Sequence, residues 1–489
     1  MKLTINFFFF TLCLFTLLNL TGQEAEPSKS KSLGNFEIKN YSNKFLERPE
    51  SVWSVIRSNS SKKVYFGTYD GILEYDGKNV NPILVEGEIE DEIATSFTRT
   101  LVEDSENNLY TAGRGFFGQI VNGPYGNSEY LSLMEKIPDS INPYDQVFWG
   151  GVNKDNSIYL YTRDLIFRYN GNNFDNVWKL SEREDGVDSY GTIQTLIKVD
   201  SRIFVRVWGI GLFELLNDDF RFLENSEIYS TNRIESMVSL NQNEIAIFSS
   251  KLGVKIYNGS QFLPSNNKVL NDWVKEKLIY NTSETKKLSD GRIPLISFEG
   301  GIMIIDNKLR IVDLIDLEDG LPSNTITSIH IDINDDLYTT SLLSASKIRL
   351  SNSITSFGES NGIKGLVQSI KKINDEIYFS TTEDIFKIEG SNSPLYNSNI
   401  KDLEFNDIPK NFIQIGDNIL SVNNLNTLLL KGKSKILFSN DRQLESPVQS
   451  MLFNDMIIMS HPIDGIVFFK ITNSGSARKI GSKKIFDQV

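Results

Sequence analysis

The chain has 489 residues, of which 63 are acidic and 50 basic, for a formal charge of −13, and its single cysteine and two histidines cannot supply a Cys/His zinc site. The same two histidines are the whole stock for any nucleophile–histidine relay. A pI near 4.9 argues against a nucleic-acid partner, because phosphate binding is driven by clustered lysine and arginine. Alanine, the best helix former, occurs 6 times and asparagine 47 times, a skew toward strands and turns.

Met1-Lys2, the apolar run Phe7 to Leu18 and Leu20-Thr21-Gly22 read as a secretory signal peptide over residues 1–22, too short to span a membrane. It contains Cys13, so the exported chain has no cysteine for disulfides. No later run is apolar enough to form a spanning helix. Asn35 to Lys39 reads as an outer strand placed ahead of the first repeat, where it can pair with a last repeat and seal a ring.

From Val52 onward a unit recurs: an alternating strand, a polar turn, a second strand, a short loop and a third strand often opened by glycine. Clear copies are Val52–Ile56 leading to Val64–Thr68 and Asp70–Tyr75, then Ile326–Ile329 leading to Asp335–Thr340, then Val367–Ile370 leading to Asp375–Ser380. Ten second-strand anchors, Tyr65, Tyr110, Tyr159, Phe204, Ile247, Leu295, Tyr338, Tyr378, Leu420 and Ile458, are spaced by about 44 residues on average. That period, with period-2 alternation and no 10-residue helical pattern, predicts an all-β propeller of about ten four-stranded antiparallel blades. Tyr75-Asp76-Gly77, Tyr169-Asn170-Gly171 and Tyr257-Asn258-Gly259 each place a hairpin turn after a third strand, with glycine free to take positive φ.

Asp319-Gly320-Leu321-Pro322-Ser323-Asn324 before Ile326–Ile329 resembles the inter-blade signature of the two-component regulator propeller family. Gly362-Ile363 before Val367–Ile370 is a degraded copy, and Gly71–Gly77 is similar to a first blade of such sensors. The resemblance implies a periplasmic propeller that senses a ligand for a transmembrane regulator, whose effector is a histidine kinase, a cyclase or a helix-turn-helix protein. It also implies an inner-membrane anchor only through a segment beyond Val489, and allows a homodimer in the full-length receptor.

Seven repeats over residues 23–355 are expected to close one ring, leaving 356–489 as three blades of a truncated second propeller; one ten-bladed ring is the alternative. The residues given point to binding of a small molecule or oligosaccharide rather than to an enzyme, with no cofactor or metal. A secreted scaffold or secretion-system accessory that binds proteins, or a glycan hydrolase or lyase, are the other readings.

A propeller gathers one loop per blade around an axial mouth, so candidate ligand contacts lie in two sets of loops. Those between second and third strands contain Tyr69, Asp70, Arg114, Phe116, Phe117, Arg163 and Trp208. Those entering the blades add Arg99, Tyr144, Trp149, Tyr190 and Arg233, with Arg48 and Trp53, the latter equally suited to packing between blades. Aromatic faces suit sugar rings and arginine suits carboxylates or sulfates. Glu88, Glu90, Asp91 and Glu92 read as a solvated loop rather than as paired catalytic acids. Asp332, Asn334 and Asp336 lack the glycine and glutamate of a calcium loop and read as a turn. His330 alternates with Ile329 and Ile331 and is assigned to the opposite face of its strand in a structural role, and His461 sits in the loop Ser460-His461-Pro462, open to a ligand or to water.

Overall fold

The structure is a computed structural model that describes residues 36–42, 51–85, 97–142, 146–181, 190–277, 279–280, 282–350, 357–358, 363–373, 376–389, 399–403, 411–415, 418–422, 427–430, 433–436, 444–453, 455–471 and 477–484. These residues form ten antiparallel sheets, nine of four strands and one of three. Each anchor residue from Tyr65 to Ile458 lies on the strand expected for it, and the sheets succeed one another in chain order as propeller blades.

The turn chemistry repeats with the blades. In blades one, three and five the tyrosine hydroxyl donates to the glycine carbonyl two residues on: Tyr75 to Gly77 (2.6 Å), Tyr169 to Gly171 (3.0 Å) and Tyr257 to Gly259 (2.8 Å). The intervening Asp76, Asn170 and Asn258 accept from the backbone N–H groups two and three residues ahead. The glycines sit at φ of 103°, 92° and 95°, which a side chain would strain. A local sequence triplet thus fixes both the turn and the outer-strand register.

Seven sheets make one closed ring. Strand Val52–Arg57 of blade one packs between Thr98–Glu103 of blade two and Ser328–Ile331 of blade seven. Across that junction Thr327 Oγ1 donates to Val52 O (2.9 Å), and Val52 N–H donates to Leu342 O (3.3 Å). Blade seven takes its fourth strand from the N-terminal side: Glu37–Ser42 pairs with Ser344–Arg349, with Tyr41 opposite Ala345. This seals the sheet edge that an open array would expose. Sheets spanning Val367–Ile373, Asn411–Ile415 and Glu445–Gln449 pack in sequence as the last three blades.

Apolar side chains fill the spaces between blades. Between blades two and three, Tyr110, Phe117, Phe148, Phe167 and Phe174 form one cluster, each contributing about 1.5–3 kcal/mol through burial.

Blade six departs from the pattern. Its sheet has only Ile293–Ile296, Ile302–Ile305 and Ile311–Ile315. Among the described residues Ile279 and Tyr280 take the inner position, pairing with Ser297 and Ile296, and from Thr282 the chain lies away from the sheet. A nine-residue helix, Lys268–Glu276, precedes this segment and buries Leu270, Trp273 and Val274 behind blades five and six. Asn267 Oδ1 caps it by accepting from Leu270 N–H (3.0 Å).

Candidate functional site

A cavity of about 850 Å³ runs along the ring axis and is lined by all seven blades. At one end stand Trp53, Arg99, Trp149, Arg163, Trp208, Arg233, Tyr280 and Phe298, gathered from blades one to six. Three of the inner strands that reach this end carry a register shift. The shifts fall between Val52 and Ser54, Thr98 and Thr100, and Ile193 and Thr195, which makes Trp53, Arg99 and Gln194 the extra residues. A bulge re-aims a side chain that regular alternation would direct elsewhere. All three of these residues line the cavity.

Arginines and aromatic rings interleave at this mouth. The Arg99 guanidinium carbon lies 4.8 Å from the Trp53 ring centre, 4.9 Å from Phe97 and 4.9 Å from Trp149. Arg163 stands 5.3 Å from the Trp149 ring. Behind Trp208 the fully buried Arg206 stacks at 4.4 Å and donates from Nε to Tyr229 O (2.8 Å) and from Nη2 to Ser230 O (2.6 Å). Burial, together with the like charge of Arg233, pushes its pKa down to about 10, so it remains a cation at neutral pH. Glu235 accepts from Ser250 N–H and Oγ, and burial raises its pKa.

The cavity's floor comes from the segment that leaves blade six. Thr282 N–H donates to Glu235 O (2.8 Å) on blade five, and Lys198 N–H of blade four donates to Ser283 O (2.8 Å). Lys198 Nζ lies 3.2 Å from Glu284 Oε1 and donates to Asn153 Oδ1 (2.7 Å), and Asn153 Nδ2 in turn donates to Glu103 O (2.6 Å). A Cβ at Gly150 would come within 2.8 Å of Ser283 Oγ, so blade three needs a glycine there to admit the segment. Thr282–Lys286 therefore reaches across blades five, four and three inside the axial cavity.

Of the residues expected at the mouth, Arg99, Trp149, Arg163, Trp208 and Arg233 line the cavity, as does Trp53, which is half-buried. Tyr69, Asp70, Arg114 and Tyr190 lie on the same loops but outside that lining. Tyr69 packs on Phe97 (5.7 Å), Arg114 is exposed, and the Tyr190 ring covers Gly209. Phe116 and Phe117 are a correction: both are wholly buried and unavailable to a ligand. Phe117 is turned into the blade-two/three cluster and Phe116, just ahead of the strand Phe117–Asn122, onto Tyr130 between blades one and two, because successive side chains there go to opposite packed faces. Arg48, Tyr144 and the Glu88–Glu92 run lie outside the described residues. Asp332 Oδ1 accepts from Asn334 N–H and Asp336 N–H, making the turn between Ser328–Ile331 and Asp336–Thr340. His330 lines the cavity wall, where burial and then Lys286 and Arg57 lower its pKa to about 3. His461 Nδ1 accepts from Ile463 N–H and Asp464 N–H at a strand end. Among the described residues no group of acidic, histidine or cysteine side chains is placed to hold a metal.

The Thr282–Lys286 segment, which plugs the cavity, the bulges and the helix were not read from the sequence. Leu270, Trp273 and Val274 at helical spacing after Asn267 signal the helix. Asn281–Lys287, seven polar residues where an inner strand should alternate, signal the plug. No sequence signal identifies the bulges.

No protein-family model and no curated protein matches the sequence. Among solved structures, the chain aligns with the extracellular domain of a protein assigned to a hybrid two-component system of B. thetaiotaomicron at 13% identity and a TM-score of 0.59, covering 92% of this chain. The chain has the fold of such a sensor ectodomain. It spans 60% of that domain's length. A second B. thetaiotaomicron ectodomain, assigned to a one-component system, aligns at 12% identity over 91% of this chain and 61% of its own, with a TM-score of 0.46. The virginiamycin B lyase of Staphylococcus aureus aligns at 11% identity over 65% of this chain and 100% of its own, with a TM-score of 0.45. No helix among the described residues is long and apolar enough to cross a membrane.

Proposed function

We propose that this chain is the periplasmic ligand-sensing region of a transmembrane signal-transduction regulator. In this reading residues 1–22 direct export, the ring within 23–355 binds a small molecule or oligosaccharide at its axial mouth, and 356–489 contribute blades of a second propeller. A C-terminal effector receives the signal. The observation that carries the reading is the mouth itself: six blades contribute aromatic and arginine side chains to one end of a cavity whose interior is crossed by Thr282–Lys286. Such convergence of apolar faces with a few polar groups is what a ligand site requires. Signalling then needs only a ligand that favours one arrangement of the ring relative to the segment C-terminal to it. The likeness of fold to a sensor ectodomain supports the same direction.

A thermal-shift screen against oligosaccharides and small metabolites tests it. A ligand at 100 times its dissociation constant stabilises the ring by about 2.7 kcal/mol. Stabilisation that disappears in Trp149→Ala supports the reading. No stabilisation by any compound, with capture of a protein partner instead, replaces it with the scaffold function.

A further inference from the structure

We propose that the mouth selects an oxyanion: Arg99, set between the rings of Trp53, Phe97 and Trp149, receives a carboxylate or sulfate carried on an apolar-faced ring. This rests on the reading of the mouth as the ligand site and adds the charge of what it takes.

The first observation is a contrast among the arginines. Around the ring Arg57, Arg168, Arg202, Arg292, Arg310 and Arg349 each pair with a carboxylate. At the mouth Arg99, Arg163 and Arg233 pair with none among the described residues, nor does Arg206 behind them. Arg114, Arg221 and Arg478 also lack one, and these three, like Arg163 and Arg233, are exposed and hydrated. Arg99 differs from these, since it is partly enclosed and its Nε is shielded from solvent with no hydrogen-bond partner. The Trp53 Nε1 beside it is in the same condition. Stacking on rings satisfies the faces of a guanidinium but leaves its in-plane N–H groups unmet, and a charged donor without an acceptor is costly to enclose.

The second observation is that the acids lining the cavity are already engaged. Glu103 accepts from Asn59 N–H and Nδ2, Glu284 pairs with Lys198, and Glu235 is held by Ser250. Asp104 accepts from Glu106 N–H and Asn108 N–H. Burial raises the pKa of Glu103 and Glu235. The mouth is thus a positive site on a chain of charge −13. The Arg99 guanidinium lies 4.8–4.9 Å from three aromatic ring centres, and cationic N–H donors beside apolar faces are the combination that holds a charged group carried on a ring.

Calorimetric titration of the full chain with digalacturonate, with N-acetylglucosamine 6-sulfate and with neutral cellobiose, at low and at physiological salt, tests the proposal. The expected result is binding of the carboxylate probe, the sulfate probe or both, which tells the two sources apart, with affinity that falls as salt rises. Arg99→Gln should weaken that binding about ten- to a hundredfold, while the ligand-free chain still unfolds cooperatively, with a melting temperature that falls no further than the lost ring contacts of the guanidinium explain, because Arg99 makes no hydrogen bond among the described residues. Charged probes that bind Arg99→Gln as well as the native chain overturn the proposal, as does binding of cellobiose alone. If cellobiose binding is lost in Trp149→Ala, the mouth remains the ligand site and only its charge preference is wrong. Absence of binding by all three probes overturns the oxyanion assignment, and the wider thermal-shift screen then decides the reading beneath it.

Discussion

Glu37 stands opposite Arg349 in antiparallel register although 312 positions separate them, and Arg349 Nη1 lies 3.0 Å from Glu37 Oε2. The ion pair marks the strand that closes the ring, but both partners are half-exposed and such pairs contribute little. Closure draws its stability from Tyr41, buried with Phe66 (6.0 Å) and Tyr75 (5.2 Å). Tyr41→Ala should therefore cost about 3–5 kcal/mol, and Glu37→Ala less than about 0.5 kcal/mol. Urea denaturation measures both; equal, small effects would show that this strand does not seal the ring.

Arg206 is a cation with no exposure and no carboxylate partner among the described residues, and it is held by two carbonyls and the Trp208 face. Arg206→Ala leaves both acceptors unmet and the indole unsupported. A loss of about 3–5 kcal/mol is expected, with a change in Trp208 fluorescence. An unaltered unfolding curve would rule out a structural role for Arg206 in the mouth.

His330 has its pKa lowered to about 3 by burial, against about 6.5 in an unfolded chain. Below pH 6.5 the unfolded state binds a proton that the folded state refuses. The stability that neutral His330 permits is therefore complete above pH 6.5 and is lost as pH falls toward 3, by up to about 1.4 kcal/mol per pH unit. Subtracting the stability–pH curve of His330→Gln isolates this contribution from that of the carboxylates. A flat difference between pH 6.5 and 4 contradicts it.

The inner segment of blade six makes a separate prediction. Lys198 N–H is bonded to Ser283 O, so replacing Thr282–Lys286 with glycines should speed amide exchange at Lys198 several-fold or more. Exchange within blade one should stay the same. Unchanged protection at Lys198 would mean that the segment does not occupy the cavity.

The blades are legible because their information is local. The triplet at Tyr169-Asn170-Gly171 states its own turn, and alternation such as Val64-Tyr65-Phe66 states a strand. The mouth is half legible. Arg99 and Trp149 can be placed on the correct loops by counting strands, but a bulge shifts which side chain faces the axis, and it depends on pairing that sequence does not display. Phe116 and Phe117 show the converse error: they come after a second strand, as ligand loops do, yet their rings serve neighbouring blades. The plug is hidden for a different reason. Its partners Lys198, Asn153 and Gly150 belong to other repeats, and only the closed ring brings them together.

The central claim is that ligand engages the axial mouth of the first ring. Hydrogen–deuterium exchange of the full chain, with and without whichever compound stabilises it, tests that most directly. Protection is predicted at the inner-strand segments around Trp53, Arg99, Trp149 and Trp208, and its loss is predicted in Trp149→Ala. Protection confined to residues 367–483, or equal protection in that variant, would contradict the claim.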